Sequence, residues 1–335
     1  MSARRYAQVA EVAVHLPGDV RTTAELEELL AERNPGVDIP RGAVERLTGV
    51  RRRHVAPPGL TASDLATAAA RAVLRQSGHA PPALDLIIYA GVSADAVEPA
   101  TAHLVAARLG AGCPVFDVRN ACNGVLNAIE LADLYITSGR HRTVLIACGE
   151  VATSAIRWQV SGPAEFTAAV PSYAGSDSGT ALLMQAGTTP GVLGHEFCAN
   201  SAYWEAAVMP IVRDGGGQRI GPLAVDAASL AIGLQKLDLD LLRRPLTDRG
   251  LDWSDMAAIC VHQPTGQSLD RFCELAGLPR DKVVHTVAEH GDLAASTLPV
   301  QLHQAAREGR VTRGDLVALI GLAGGLSAGT MLIRW

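Results

Sequence analysis

The chain has 335 residues, 48% of them hydrophobic and 19% charged, with 33 glycines and a formal net charge of −5. That size and apolar content suit one large domain or two fused halves, and the mild charge gives no electrostatic case for nucleic acid or an anionic membrane. Six scattered cysteines, with no CxxC pair and no His at metal-ligand spacing, argue against a disulfide framework or a metal site and suit reduced thiols in a cytoplasm.

The opening MSARRYAQVAEVAVHLPG lacks an uninterrupted apolar stretch and a cleavage site, so no signal peptide is read there. A first strand is expected over Val9–Leu16. The Arg51–Arg53 cluster has the character of a solvated face, with contact to a phosphate-bearing partner through Arg52 as the functional alternative. Next come a strand over Leu86–Ala90, a helix near Thr101–Leu109 and a strand over Val115–Val118. Cys122 follows, at the start of an amphipathic helix over 122–138. A thiol there meets the positive end of the helix dipole and unpaired N–H groups, which favour a thiolate and can hold an oxyanion. Gly124 permits close approach of another backbone or a substrate. The apolar strand Thr143–Cys148 completes the series.

The same order of elements returns roughly 170 residues later, a period that fits a duplicated domain. An early strand is expected over Ala181–Gln185, closely followed by Gly191–Cys198. Strand Met256–Val261, helix Gln267–Ala276 and strand Val283–Val287 come next, then Asp292 before a helix over Leu298–Ala306, then strand Leu316–Leu322. Apolar strands alternating with helices indicate sheets covered on both faces. Two such halves, 1–174 and 175–335, stack into a five-layer α/β/α/β/α sandwich and meet near residues 172–180. A pseudo-twofold between them brings Cys122 and Asp292 into one pocket.

His262 ends a buried strand before Pro264 and Gly266, where active-site loops of α/β proteins gather. A hydrogen-bonded structural histidine fits the same place. Asp292 suits an N-cap equally well, and the glycine-rich end of the chain suits a hairpin. Its backbone N–H groups could also help bind an oxyanion.

Taken together, several segments resemble β-ketoacyl-acyl-carrier-protein synthase III and its relatives in the thiolase superfamily. They are LTGVRRRHV (47–55), LGAGCPVFDVRNACNG (109–124), GSDSGTALL (175–183), VHQPTG (261–266), HGDLAAS (290–296) and AGGLSAGTMLIRW (323–335). The resemblance runs nearly end to end and implies a thiolase-like duplicated sandwich and a homodimer. It makes Cys122 the acyl-accepting nucleophile and His262 the catalytic histidine, with an oxyanion hole from the N–H groups of Cys122 and Gly324. It implies no cofactor and no metal, the substrate being an acyl-carrier-protein or coenzyme A thioester.

The condensing relatives carry Asn where this chain has Asp292. An amide can donate to a developing enolate, whereas an ionised carboxylate only accepts and adds repulsive charge. Beside a histidine, a carboxylate suits the nucleophile–His–acid arrangement of acyl-transfer enzymes. The expectation is therefore acyl transfer to a hydroxyl (on a sugar among other acceptors), an amine or a carrier thiol, without decarboxylation. That resembles a Cys-His-Asp acyltransferase branch found in antibiotic and other secondary-metabolite pathways. The alternatives are a starter-unit ketosynthase tolerating Asp292 and a non-catalytic chain-length-factor-like partner, the latter disfavoured by Cys122 and His262. The segment 41–47 lacks the Trp that coenzyme A users often carry before the TG motif, and Gln267 stands near the usual carrier-docking basic residue. Together the absences leave the donor open between acyl carrier protein and coenzyme A, with a slight lean to the former. The stretch Tyr203–Leu223, with Trp204 as a substrate-contacting candidate and a Gly215–Gly217 run, reads as a lid over the acceptor or as a surface excursion.

Overall fold

In a computed structural model, residues 4–215 and 217–335 are described, so Gly216 of the Gly215–Gly217 run and the first three residues lie outside the described residues. The first sheet contains β1 (Tyr6–His15), β2 (Leu86–Tyr89), β3 (Val115–Asp117), β4 (Thr143–Val151) and β5 (Asp177–Gly187), in the order β1-β5-β4-β2-β3. β2 is parallel to β3 and β4, while β5 runs antiparallel between β1 and β4. The second sheet contains β6 (Val192–Ala199), β7 (Ala258–Val261), β8 (Leu316–Ala323) and β9 (Ser327–Arg334), in the order β7-β8-β9-β6. A parallel bridge between Ile259 and Val283 stands where β3 stands in the first sheet.

The duplication is therefore present, with its seam further along the chain than 174/175. The segment 181–185 belongs to β5 of the first sheet, and β6 opens the second. An apolar run at that point fits the end of one half as well as the start of the next. Likewise the strand expected over Val283–Val287 is one bridge followed by a helical turn, Val287–His290.

Five helices position the site: α1 (Ala62–Ser77), α2 (Thr101–Leu109), α3 (Gly124–Thr137), α4 (Gly266–Ala276) and α5 (Thr297–Arg307). α3 and α5 lie between the sheets, where Leu126, Ile129, Leu298 and Leu302 share one core with Ile88, Ile146, Cys260 and Leu319. Burying such side chains supplies about 2 kcal/mol each. α1 covers the outer face of the first sheet, and α4 covers that of the second through Leu269 and Phe272. Gly149 and Gly179, paired across β4 and β5, let α1 settle onto the sheet, because a Cβ on either would strike the carbonyl of Ala62 or Leu65. The result is the expected five-layer α/β/α/β/α arrangement. Among the described residues no helix is long and apolar enough to cross a membrane.

Candidate functional site

Three loops at the seam carry the residues singled out by sequence. The first leaves β3 and reaches Cys122 two residues before α3, with Asn123 rather than Cys122 at the N-cap. Close packing here depends on Gly124, since a Cβ there would lie 2.7 Å from the Ala90 carbonyl oxygen. Asn123 is buried and crosses to the other half, its Nδ2 donating to Ser327 Oγ at 2.9 Å. The second loop begins at His262, directly after β7 and 4% exposed, whose backbone N–H donates to Ile320 at 2.9 Å. The third is Gly291–Ser296. It is pinned to the first half by Asp292 N–H donating to the Ala174 carbonyl (2.8 Å) and Ser176 N–H donating to the Asp292 carbonyl (3.0 Å).

Ala121, Ala294 and Leu326 are the three non-glycine residues with positive φ (44°, 48° and 47°) among the described residues. One lies in the Cys122 loop, one in the Asp292 loop and one in the turn after Gly324. A left-handed alanine or leucine costs on the order of 1–3 kcal/mol, and such residues persist where surrounding packing imposes them, typically at functional sites. No sequence signal announces them, since neither Ala nor Leu marks a left-handed position.

Electrostatics tie the three side chains together. Asp292 lies within electrostatic reach of both Cys122 and His262, a secondary influence on each after burial. The thiol is pushed well above its ordinary range, by burial first and then by Asp292 and Glu150, while its own N–H pulls weakly the other way. Burial thus opposes the thiolate that the helix end favours. Burial lowers the His262 pKa and Asp292 raises it in part. Both directions favour the neutral thiol and the neutral imidazole, and Cys122 keeps partial solvent contact.

Asp292 does not orient the ring directly. Its Oδ1 accepts the N–H of Ala294 at 2.9 Å, and among the described residues no hydrogen bond joins it to His262. The imidazole Nδ1 faces Thr297 Oγ1 at 3.3 Å instead. Sequence reasoning passed over Thr297, which reads as an ordinary helix-start hydroxyl. Glu150 was missed too, because an acid after an apolar strand looks like a strand end. Its carboxylate is 1% exposed and accepts N–H groups of Val92 (2.8 Å), Ser93 (3.0 Å) and Ala295 (3.4 Å), tying β4 to the Asp292 loop. Burial, partly offset by those bonds, lifts its pKa to about 7.

Gly324 sits in the β8–β9 turn, and a Cβ there would lie 3.1 Å from the Ala207 carbonyl oxygen. The Tyr203–Leu223 excursion therefore packs against this turn; it includes a hairpin pairing Ile211–Asp214 with Gly217–Ile220. Trp204 is 55% exposed within it and has no described contact with the thiol's pocket. Arg52 pairs with Glu289 at 2.7 Å, beside the stacked His54 and His290 rings. Neither is gathered with Cys122, His262 and Asp292. Among the described residues no group of three or more His, Cys, Asp or Glu side chains could hold a metal ion.

Known proteins match this arrangement along the whole chain. Residues 116–201 match the family profile described as 3-oxoacyl-[acyl-carrier-protein (ACP)] synthase III, and residues 246–335 match its C-terminal counterpart, together a little over half of the chain. The 3-oxoacyl-[acyl-carrier-protein] synthase III of Aquifex aeolicus VF5 is 26% identical, with a TM-score of 0.84 over 98% of this chain and 100% of that one. The corresponding enzyme FabH of Pseudomonas aeruginosa PAO1 is 25% identical, with a TM-score of 0.84 over 99% of this chain and 98% of that one. A single-residue variant of OleA from Xanthomonas campestris is 22% identical with a TM-score of 0.88 over 100% of both chains, a likeness of fold. The chain belongs to the synthase III-like family of the thiolase superfamily and is an enzyme of its condensing and acyl-transfer kind.

Proposed function

We propose that the enzyme moves an acyl group from a carrier-protein or coenzyme A thioester, through Cys122, to a heteroatom acceptor without decarboxylation. His262 takes the proton of Cys122 as sulfur attacks the thioester carbonyl. The resulting oxyanion rests on the N–H groups of Cys122 and Gly324, and the carrier thiol leaves with the proton returned from His262. In the second stage His262 removes the proton of an acceptor hydroxyl, amine or thiol as that atom attacks the acyl-Cys. Collapse releases Cys122, which recovers the proton. The active unit is a homodimer, and the acceptors are small molecules, glycosylated ones included.

The observation that carries this reading is an acid, Asp292, where the condensing relatives carry Asn, with its Oδ1 accepting the N–H of Ala294. A carboxylate offers no proton to an enolate, and its Oδ1 is already occupied by an N–H. Negative charge at that point opposes carbanion formation and favours the imidazolium of acyl transfer. Its direct grip on the ring is replaced by Thr297, so the case rests on charge rather than on a triad hydrogen bond. The test is incubation with an acyl thioester, malonyl-carrier and a panel of alcohol and amine acceptors. Ester or amide formation without carbon dioxide is expected; carbon dioxide with a β-ketoacyl product would establish the ketosynthase alternative.

A further inference from the structure

The Thr297 hydroxyl has one proton, and its direction is fixed. Oγ1 lies 2.8 Å from the carbonyl oxygen of Ala294, which can only accept. The hydroxyl therefore donates to Ala294 and presents a lone pair to His262 Nδ1, 3.3 Å away. Two lone pairs facing each other in a buried site would be repulsive, so Nδ1 carries the hydrogen. Both side chains are nearly sealed, His262 at 4% and Thr297 at 2% exposure, so water does not compete for this bond.

We infer that Thr297 is the positioning residue that fixes the His262 tautomer, keeping hydrogen on Nδ1 and the basic lone pair on Nε2. Ala294 supplies the carbonyl because it is held left-handed, at φ 48°, with its N–H donated to the Asp292 carboxylate. Asp292 and Thr297 thus divide the work that one carboxylate performs in a triad. Thr297 sets which nitrogen is the base, and Asp292 supplies charge through space and holds the turn. When Nε2 accepts a proton from Cys122 or an acceptor, Nδ1–H stays bonded to Thr297 and the ring need not reorient.

The catalytic consequence rests on the acyl-transfer reading above, but the tautomer does not, so two measurements separate them. Nitrogen-15 NMR of histidine-labelled full-length protein, with the His262 signal assigned by comparison with His262→Asn, reads the resting ring directly. The expected signature is a protonated Nδ1 and an unprotonated Nε2. Finding the opposite tautomer in the unsubstituted protein overturns the inference, whatever the enzyme's substrates prove to be. Thr297→Val removes the hydroxyl at nearly constant shape; it should give mixed tautomers and slow acylation of Cys122 by a simple acyl thioester about 10- to 100-fold. Thr297→Ser should restore the signature and most of the rate. A Thr297→Val protein with an unchanged nitrogen spectrum also overturns the inference. If the tautomer is as expected but no thioester acylates Cys122, the acyl-transfer reading fails alone.

Discussion

The two halves place different chemistry at the same structural point. In the first, the chain leaves β3 and enters α3 through Ala121, Cys122 and Asn123; in the second it passes the Val283 bridge and enters α5 through Asp292, Ala294 and Ser296. Each loop is held by the opposite half. Asn123 bonds Ser327, whereas Asp292 is bonded through its backbone to residues 174 and 176, and Ser296 contacts Thr180 and Cys148 at 3.3 Å. In the proposed mechanism one copy of the motif presents the nucleophile and the other tunes it, and each loop is anchored by its counterpart's half.

The sharpest way to break this comparison is at its first member. Cys122→Ala should abolish acyl-enzyme formation, with turnover falling at least ~1,000-fold, because the proposed path runs through that sulfur. Intact-mass measurement after exposure to acyl thioesters checks it. An acyl adduct of undiminished mass and rate on the variant would move the nucleophile elsewhere.

Its second member is tested by Asp292→Asn, which keeps shape and removes charge. Acyl transfer should weaken about 10- to 100-fold. Because Asp292 raises the His262 pKa, the acid limb of the pH–rate profile, which lies below the ordinary histidine value of 6.5, should move to still lower pH. An unmoved limb would remove Asp292 from the ring's electrostatics. Release of carbon dioxide from malonyl-carrier by the variant alone would show that this one atom's exchange separates the two chemistries.

Glu150, which links the halves beneath both loops, gives a smaller and pH-dependent effect. Its pKa is about 7 in the folded protein against 4.5 for an ordinary glutamate. Between those values the folded state holds a proton the unfolded chain has released, so its contribution to stability falls as pH rises through the window. The denaturation free energy of the native protein relative to Glu150→Gln should therefore decline from pH 4.5 to 7 by up to roughly 3 kcal/mol. A flat difference would show that the carboxylate titrates normally.

The apolar strands, their alternation with helices and the spacing of the repeat made the layered fold legible, because a strand covered on both faces must be apolar throughout. Cys122 and Asp292 could be singled out at matching positions of that repeat, and His262 at the end of a buried strand. The seam was not, since β5 and β6 are consecutive apolar runs and pairing alone decides their sheets. Nor was the ring's true partner: whether Asp292 or Thr297 faces Nδ1 depends on the backbone at Ala294, whose left-handed turn diverts the carboxylate to an N–H. Trp204 and Arg52 were singled out by residue type and segment, but Trp204 stands exposed on the short helical turn Ser201–Ala206 and Arg52 is paired with Glu289.

The smallest expected effect addresses that backbone. If Ala121 and Ala294 are held left-handed by their surroundings, glycine at either position relieves a steric penalty that exceeds its greater unfolded-state entropy. Ala121→Gly and Ala294→Gly should each stabilise the protein by about 0.5–1 kcal/mol in denaturant titration. Ala128→Gly, inside α3 and fully buried, should destabilise it by about 1 kcal/mol as an ordinary helical substitution. The two loops then differ in function: stabilised Ala294→Gly should lose acylation rate, because a freer turn holds the carbonyl that orders Thr297 less firmly. Loss of stability at positions 121 and 294 equal to that at 128 would mean that the backbone there carries no strain, and the turn would no longer explain why the carboxylate and the ring are kept apart.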